Sequence, residues 1–399
     1  MFKDKKTVIR VILFVAAVVV AATMFSRALL GLSRNKEGYQ AITATPVEDA
    51  PLYANGFTFN YYFSGSSGDI KEKIKEVTAA YGNALCRAYK QLDAVNEYNG
   101  YNNIATLNKN ACNDPILEGV GGEPVKLSDE LYDILKDAYA RTLSEEHYNM
   151  FAGDLYGYIN SILVLNEPQE FDPAINTDTA DRLDRLKELV SHNEYFSLEF
   201  LSDTEHTVRF GVAKEYLDRL SELEIEPAPL NIGILKDAYM LETVRNVLDK
   251  SGYTDGYITT QSGLTLALSK QSGLNFCIYG VKDETVAILE TVPSETSSVY
   301  SAFKAFGFGS EAMYYAFAIG DDMYYRCPYF SLKTGYDNGK YLTLYSFKEI
   351  DPKDVHPCAD AVMRNLRIWC DDTGADTVPG DAYKTYFVLR DDMGTVIKK

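Results

Sequence analysis

Hydrophobic positions along the 399 residues change their period several times, and each change marks an element. Residues 57–63 alternate in strand fashion, with Phe57, Phe59, Tyr61 and Phe63 on one side. Past the Ser/Gly break at residues 64–68 the spacing turns helical: Ile70, Ile74, Val77, Tyr81, Leu85 and Tyr89 recur three or four apart through residue 92. Ser128 opens a second helix over residues 130–142, with Leu131, Ile134, Leu135 and Ala138 on one face. Two charged amphipathic helices follow at residues 178–190 and 214–223, and another at residues 235–250. After Gly252 the runs shorten to residues 256–260, 264–269, 276–280 and 285–289, punctuated by Gly, Ser and Asp as antiparallel strands are. A helix over residues 355–369 and a strand over 383–389 close the chain. Helices followed by a strand-rich half indicate an α+β fold, not a βαβ series.

The N-terminus has a different character. Lys3, Lys5, Lys6 and Arg10 precede an uncharged run over residues 11–26, and Arg27 follows it. The run is a little short of the about 20 residues that cross a bilayer, but Val8, Ile9 and residues 28–32 extend it if Arg10 and Arg27 snorkel. A cleaved signal peptide is the alternative. Ser26-Arg27-Ala28 is a poor cleavage site, and no Cys stands near enough for a lipid anchor. The expectation is a cytoplasmic tip and transmembrane signal anchor at residues 1–36, a juxtamembrane linker at 37–55 and an extracytoplasmic globular domain at 56–399.

Composition narrows the chemistry. Lys and Arg number 39 against 57 Asp and Glu, a net charge of −18 that argues against nucleic acid, whose backbone is held by cationic side chains. Thirty tyrosines and one tryptophan suit wet clefts and sheet faces. The six cysteines and four histidines show no zinc spacing; disulfides and buried free thiols both remain open for the cysteines.

Four blocks resemble the ApbE family, the FAD:protein FMN transferases. Val95-Asn-Glu-Tyr98-Asn-Gly-Tyr-Asn102-Asn-Ile-Ala-Thr-Leu107-Asn108 is similar to F-S-x-Y-x-x-x-S-E-L-x-x-L-N, keeping Tyr98, Leu107 and Asn108. His147-Tyr-Asn149-Met-Phe151-Ala-Gly153 resembles the end of a G-A-F-D-x-T stretch, with Asn149 in place of the Asp. Leu230-Asn231-Ile-Gly233-Ile-Leu235-Lys236-Asp237-Ala-Tyr239 resembles D-L-G-G-I-A-K-G-Y with one residue deleted; Thr260-Gln261-Ser262-Gly263 follows where the family has paired glycines. Pro328-Tyr-Phe-Ser331-Leu332-Lys333-Thr334-Gly335-Tyr336 resembles H-I-I-D-P-x-T-G-Y, and Cys358-Ala-Asp360-Ala-Val-Met-Arg364-Asn-Leu366 resembles A-D-A-x-x-T-A-L.

The resemblance implies an ApbE-like, two-lobed fold of mostly antiparallel sheets with packed helices behind the membrane anchor. It also implies FAD bound in a cleft with a divalent metal, and FMN transfer to a Thr of a partner flavoprotein. Carried over, the flavin-binding residues are Tyr98, Asn108, Gly233, Lys236, Ser262, Gly263, Lys333, Thr334 and Gly335, and the metal ligand is Asp360 beside the Leu235 carbonyl. Magnesium is in doubt, because Arg364 replaces the metal-ligand Thr and a guanidinium has no lone pair to give. The expectation is an Asp360–Arg364 ion pair in the metal's place. With the His and several carboxylates of the motifs replaced, FMN transfer is expected to be weakened or lost. The alternative is a non-catalytic module that binds FAD or a related flavin, or docks on a membrane redox flavoprotein. Residues 371–377 faintly resemble the family's acceptor motif, but Asp376 stands where the acceptor Thr belongs.

Overall fold

The computed structural model describes residues 37–116, 121–268, 274–283, 285–294, 296–306, 313–351, 353–371 and 382–399. The expected anchor at residues 1–36 and most of the acceptor-like loop at 371–377 lie outside them.

Residues expected to form a linker instead begin the sheet. Strand β1 (Gly38–Ile42) pairs antiparallel with β2 (Phe57–Phe63). The connection packs on helix α1 (Ser67–Leu92): Tyr53 is buried, its hydroxyl donates to the Thr45 carbonyl at 2.8 Å, and Asp49 accepts from Lys90 at 2.6 Å. Despite its prolines and threonines, the segment is part of the domain through buried Ala44, Ala50 and Tyr53.

Helix α2 (Ile104–Asn113) is followed by the short strand β3 (Val125–Lys126), α3 (Asp129–Ser144) and α4 (Gly153–Leu163). Then come α5 (Thr177–Ser191), the hairpin β4 (Phe196–Ser202) and β5 (Thr207–Val212), α6 (Lys214–Glu222) and α7 (Lys236–Lys250). Periodicity located α1, α3, α5, α6 and α7 within a few residues. It missed α2, α4 and the β4–β5 hairpin between the two charged helices.

The strand-rich half comprises β6 (Gly256–Thr260), β7 (Leu264–Ala267), β8 (Leu274–Lys282), β9 (Thr285–Ser294) and β10 (Ser298–Lys304). It continues with β11 (Tyr315–Ile319), β12 (Asp322–Arg326), β13 (Tyr341–Glu349), helix α8 (Pro357–Cys370), β14 (Lys384–Leu389) and β15 (Ile397–Lys398). The main sheet runs β1-β2-β6-β7-β10-β13-β14-β15, antiparallel throughout; β3-β5-β4 form a second sheet, and β8-β9 and β11-β12 are separate hairpins.

Both faces of the central strands are covered, as their composition requires. Along β10 the two-residue period sends Val299 and Phe303 toward the helices, and Tyr300 and Ala302 into a second core. There Phe276 of β8 stacks on Tyr300 at 4.7 Å, beneath the β8–β9 hairpin. About half of the tyrosines are buried in these cores, Tyr81, Tyr132, Tyr148, Tyr216, Tyr239 and Tyr341 among the largest fully buried side chains, a use that composition did not suggest. All six cysteines are free thiols.

Two buried carboxylates tie segments that are far apart in sequence. Asp172 accepts from Arg326 at 2.7 and 3.1 Å and from Tyr315 at 2.8 Å, fixing the β11–β12 hairpin to the turn before α5. Asp154, in the first turn of α4, accepts from the Tyr216 hydroxyl at 2.5 Å and the Ala228 N–H at 2.7 Å. Burial pushes the Asp154 carboxyl up to about 6, with these two bonds opposing the rise. A carboxyl raised on folding is protonated more readily in the native state than in the unfolded chain. Its stabilising contribution is therefore full below about pH 4 and lost as pH rises through about 6. Urea denaturation of the wild type and Asp154→Asn should show the stability difference moving in the wild type's favour as pH falls from 7 to 4.5. The shift corresponds to about 2 kcal/mol; a difference independent of pH would refute the assignment.

Candidate functional site

A cleft of about 390 Å³ opens where seven segments meet: the end of the β1–β2 connection, the chain after α1, helix α4, the turn into α7, the β6–β7 turn, residues 313–314, and residues 328–330. The turn into α7 is set locally. Asn231 accepts from the Gly233 N–H at 2.9 Å, and Gly233 has a φ of +59°, a conformation that favours glycine. A side chain there is also excluded by space, since a Cβ would lie 2.7 Å from the Tyr156 ring. The turn delivers Lys236 and Asp237 to the cleft at the start of the helix.

Opposite them, Asp93 ends α1 and gathers the following loop. It accepts from the N–H groups of Val95 and Asn96 at 2.9 and 3.0 Å, from the Asn96 amide at 3.1 Å, and from the Tyr98 hydroxyl at 2.6 Å. Burial pushes the Asp93 carboxyl up, but these bonds outweigh it and hold the group below its ordinary range. Lys236 lies over the Tyr89 ring at 4.6 Å. Burial lowers its ammonium pKa, and the charges of Asp93 and Asp237 only partly restore it. Burial raises the Asp237 carboxyl, against the hydrogen bond of Ser262 and the Lys236 charge.

The remaining walls are aromatic and amide. Tyr156 and Phe330 pack at 5.6 Å, while Tyr329 stacks on Phe303 at 3.8 Å and donates to the Ser262 carbonyl at 2.7 Å. Asn55, Asn160, Asn231 and Gln261 bring carboxamides to the lining. The Asn160 carboxamide oxygen is buried and has no hydrogen-bond partner in the structure.

Of the residues expected to bind flavin, Gly233, Lys236 and Ser262 line this cleft. Tyr98 stands behind the wall, its hydroxyl on Asp93. Asn108 is buried and holds backbone, donating to the carbonyls of Ala94 and Leu230 and accepting from the Leu230 N–H, each at 2.9 Å. Gly263 is a packing glycine: at φ +82°, a Cβ would lie 2.1 Å from the Ala302 carbonyl. Lys333, Thr334 and Gly335 form a separate turn. Lys333 pairs with Glu146, Thr334 bonds the Tyr336 carbonyl at 2.9 Å, and Gly335 packs near Leu183.

The expected Asp360–Arg364 pair is overturned. Asp360 accepts from Arg141 at 2.8 Å, and Arg141 also binds Asp137 at 2.7 Å, which in turn accepts from Tyr239 at 2.6 Å. Arg364 donates to the Thr385 hydroxyl at 3.2 Å and lies on the Tyr383 ring at 5.0 Å. Helical spacing made the pair available, but a cation from α3 reaches Asp360, and β14 draws Arg364 away. These donors do not fit a divalent cation. The carboxylate is already bound to a guanidinium, position 364 offers no lone pair, and among the described residues no three His, Cys, Asp or Glu side chains come together to hold a metal.

No protein-family model and no curated protein matches the sequence. Solved structures do. An ApbE protein from Thermotoga maritima superposes with a TM-score of 0.55 at 13% identity, over 91% of this chain and 97% of that one. The flavin transferase ApbE from Vibrio cholerae, crystallised as a point mutant, gives 0.52 at 10% identity with the same coverage. The chain has the ApbE fold. At such identity the likeness establishes an ApbE-like, divergent α+β architecture of antiparallel sheets and packed helices.

Sequence motifs missed Asp93, Tyr156, Asn160, Tyr329 and Phe330 on the cleft wall. The Pro328-Tyr329-Phe330 run is legible in the sequence only as the start of a motif, and α4, which carries Tyr156 and Asn160, shows no clean helical period. Because Asn108 bridges two walls of an ApbE-fold cleft, Asn108→Ala should strand three buried backbone groups. The expected loss is at least about 2 kcal/mol in urea denaturation; a loss within experimental error would remove Asn108 from this role.

Proposed function

We propose that this protein is a membrane-tethered, extracytoplasmic ApbE-type domain that retains flavin recognition while FMN transfer from FAD is weakened or lost. The observation that carries the reading is the Arg141–Asp360 ion pair, found where the sequence resemblance puts a metal ligand, together with a cleft still lined by Gly233, Lys236 and Ser262. FMN transfer forms a bond from an acceptor hydroxyl to phosphorus and releases AMP, so negative charge on the phosphates has to be neutralised as the bond breaks. Loss of one such electrostatic contribution costs on the order of 10²–10³ in rate. Here Asp360 is already committed to Arg141, and Lys236 is shared between two carboxylates.

In this reading the chain's own residues bind and orient. Tyr156, Tyr329 and Phe330 line the cleft with aromatic side chains, the carboxamides offer polar contacts, and Lys236 supplies a cation. The tether at residues 1–36, supported by the uncharged run and its flanking cations, would hold the domain where a membrane redox flavoprotein presents itself.

The full-length chain in detergent, incubated with riboflavin, FMN or FAD and washed, should retain flavin absorbance from at least one of the three in EDTA. Offered FAD, Mg²⁺ and a Thr-bearing acceptor domain, it should label the acceptor covalently at least about 10²-fold more slowly than an active transferase. Labelling at a normal rate would refute the loss of transfer, and failure to take up any flavin would refute the reading as a whole.

A further inference from the structure

Resting on that flavin reading, we infer that the cleft takes a neutral flavin of the riboflavin class in preference to a flavin nucleotide. Among the described lining residues, the formal charges are those of Asp93, Lys236 and Asp237, two carboxylates against one ammonium. The ammonium lies over the Tyr89 ring, within the field of both carboxylates, and Asp237 occupies the next position on the same helix turn. A phosphate brought to Lys236 would therefore meet like charge on either side. The other cations expected from the sequence to help are placed elsewhere: Lys333 on Glu146, Arg364 on Thr385 and Tyr383. Arg141 is committed to Asp137 and Asp360.

What the cleft does supply matches an uncharged heteroaromatic. Tyr156 and Phe330 place aromatic side chains in the lining, and flat π-systems pack favourably against aromatic side chains. The isoalloxazine edge carries an imide N–H between two carbonyls, a pattern that carboxamides satisfy because each both donates and accepts. The buried, unpartnered Asn160 oxygen is an acceptor of that kind already in the wall. Size points the same way. At about 390 Å³ the cleft is near the small end of the about 300–1,000 Å³ usual for ligand sites, room for one ring system with a short polar tail.

Fluorescence titration of the full-length chain in detergent with riboflavin, FMN and FAD, each in EDTA and in Mg²⁺, tests the inference. Riboflavin should bind about tenfold or more tightly than either nucleotide, with the order unchanged by Mg²⁺. Asp237→Asn should narrow the gap, changing FAD affinity more than riboflavin affinity. FAD binding as tightly as riboflavin in EDTA, or overtaking it in Mg²⁺, would overturn the inference and leave the flavin reading intact. No binding of any of the three would overturn both.

Discussion

The carboxamide of Asn108 is the constraint on which the cleft depends. One side chain, buried in α2, serves the carbonyl of Ala94 and both backbone groups of Leu230, residues separated by more than half the domain's helical portion. Ala94 follows Asp93 at the end of α1, and Leu230 precedes the Asn231–Gly233 turn into α7. Holding these two strips of irregular backbone together sets the distance between Asp93 and Lys236, and hence the electrostatics of the site. Buried loops carry polar groups that secondary structure does not satisfy, and a carboxamide, donor and acceptor at once, is suited to that role. Asp154 adds a second tie to the same strip through the Ala228 N–H.

The ion pairs around α8 fix the helix in place and decide which cation its acidic residue meets. Glu242 of α7 accepts from the Cys358 and Ala359 N–H groups at 2.8 and 3.1 Å and from His356 at 2.7 Å. A buried carboxylate at a helix N-terminus satisfies orphan donors and the helix dipole together. That contact fixes α8 against α7. One turn on, the Asp360 carboxylate faces α3, where Arg141 neutralises it. A buried or half-buried carboxylate needs its charge compensated, and a guanidinium already oriented by Asp137 does so without further ordering.

Much of the architecture was legible in the chain because it rests on local physics. The helices with a clean three-and-four spacing, α1, α3, α5, α6 and α7, bury one stripe each, so period alone reveals them. Helix α4 was hidden because Tyr156, Tyr158, Ile159 and Ile162 surround most of its circumference, and α2 because its asparagines read as turn residues. Asn103 is in fact the α2 N-cap, with Thr106 completing the capping box. Cleft residues were legible where they sit in a motif, as Gly233, Lys236 and Ser262 do. Lys333, Thr334 and Gly335 share a motif but form a turn outside the cleft, because motif order carries no information on where a turn points.

The sequence by itself determined the α+β class, the antiparallel second half and the lysine turn, since hydrophobic period, glycine backbone freedom and side-chain chemistry all act within a few residues. Tertiary structure alone decided the partners. Whether Asp360 meets Arg364 or Arg141, whether Asn108 touches a ligand or a backbone, and whether residues 37–55 hang free or pack on α1 are contests between groups distant in sequence. Their outcome depends on which pair can be brought to hydrogen-bond distance without leaving another buried charge unmatched, and only the folded chain sets those distances.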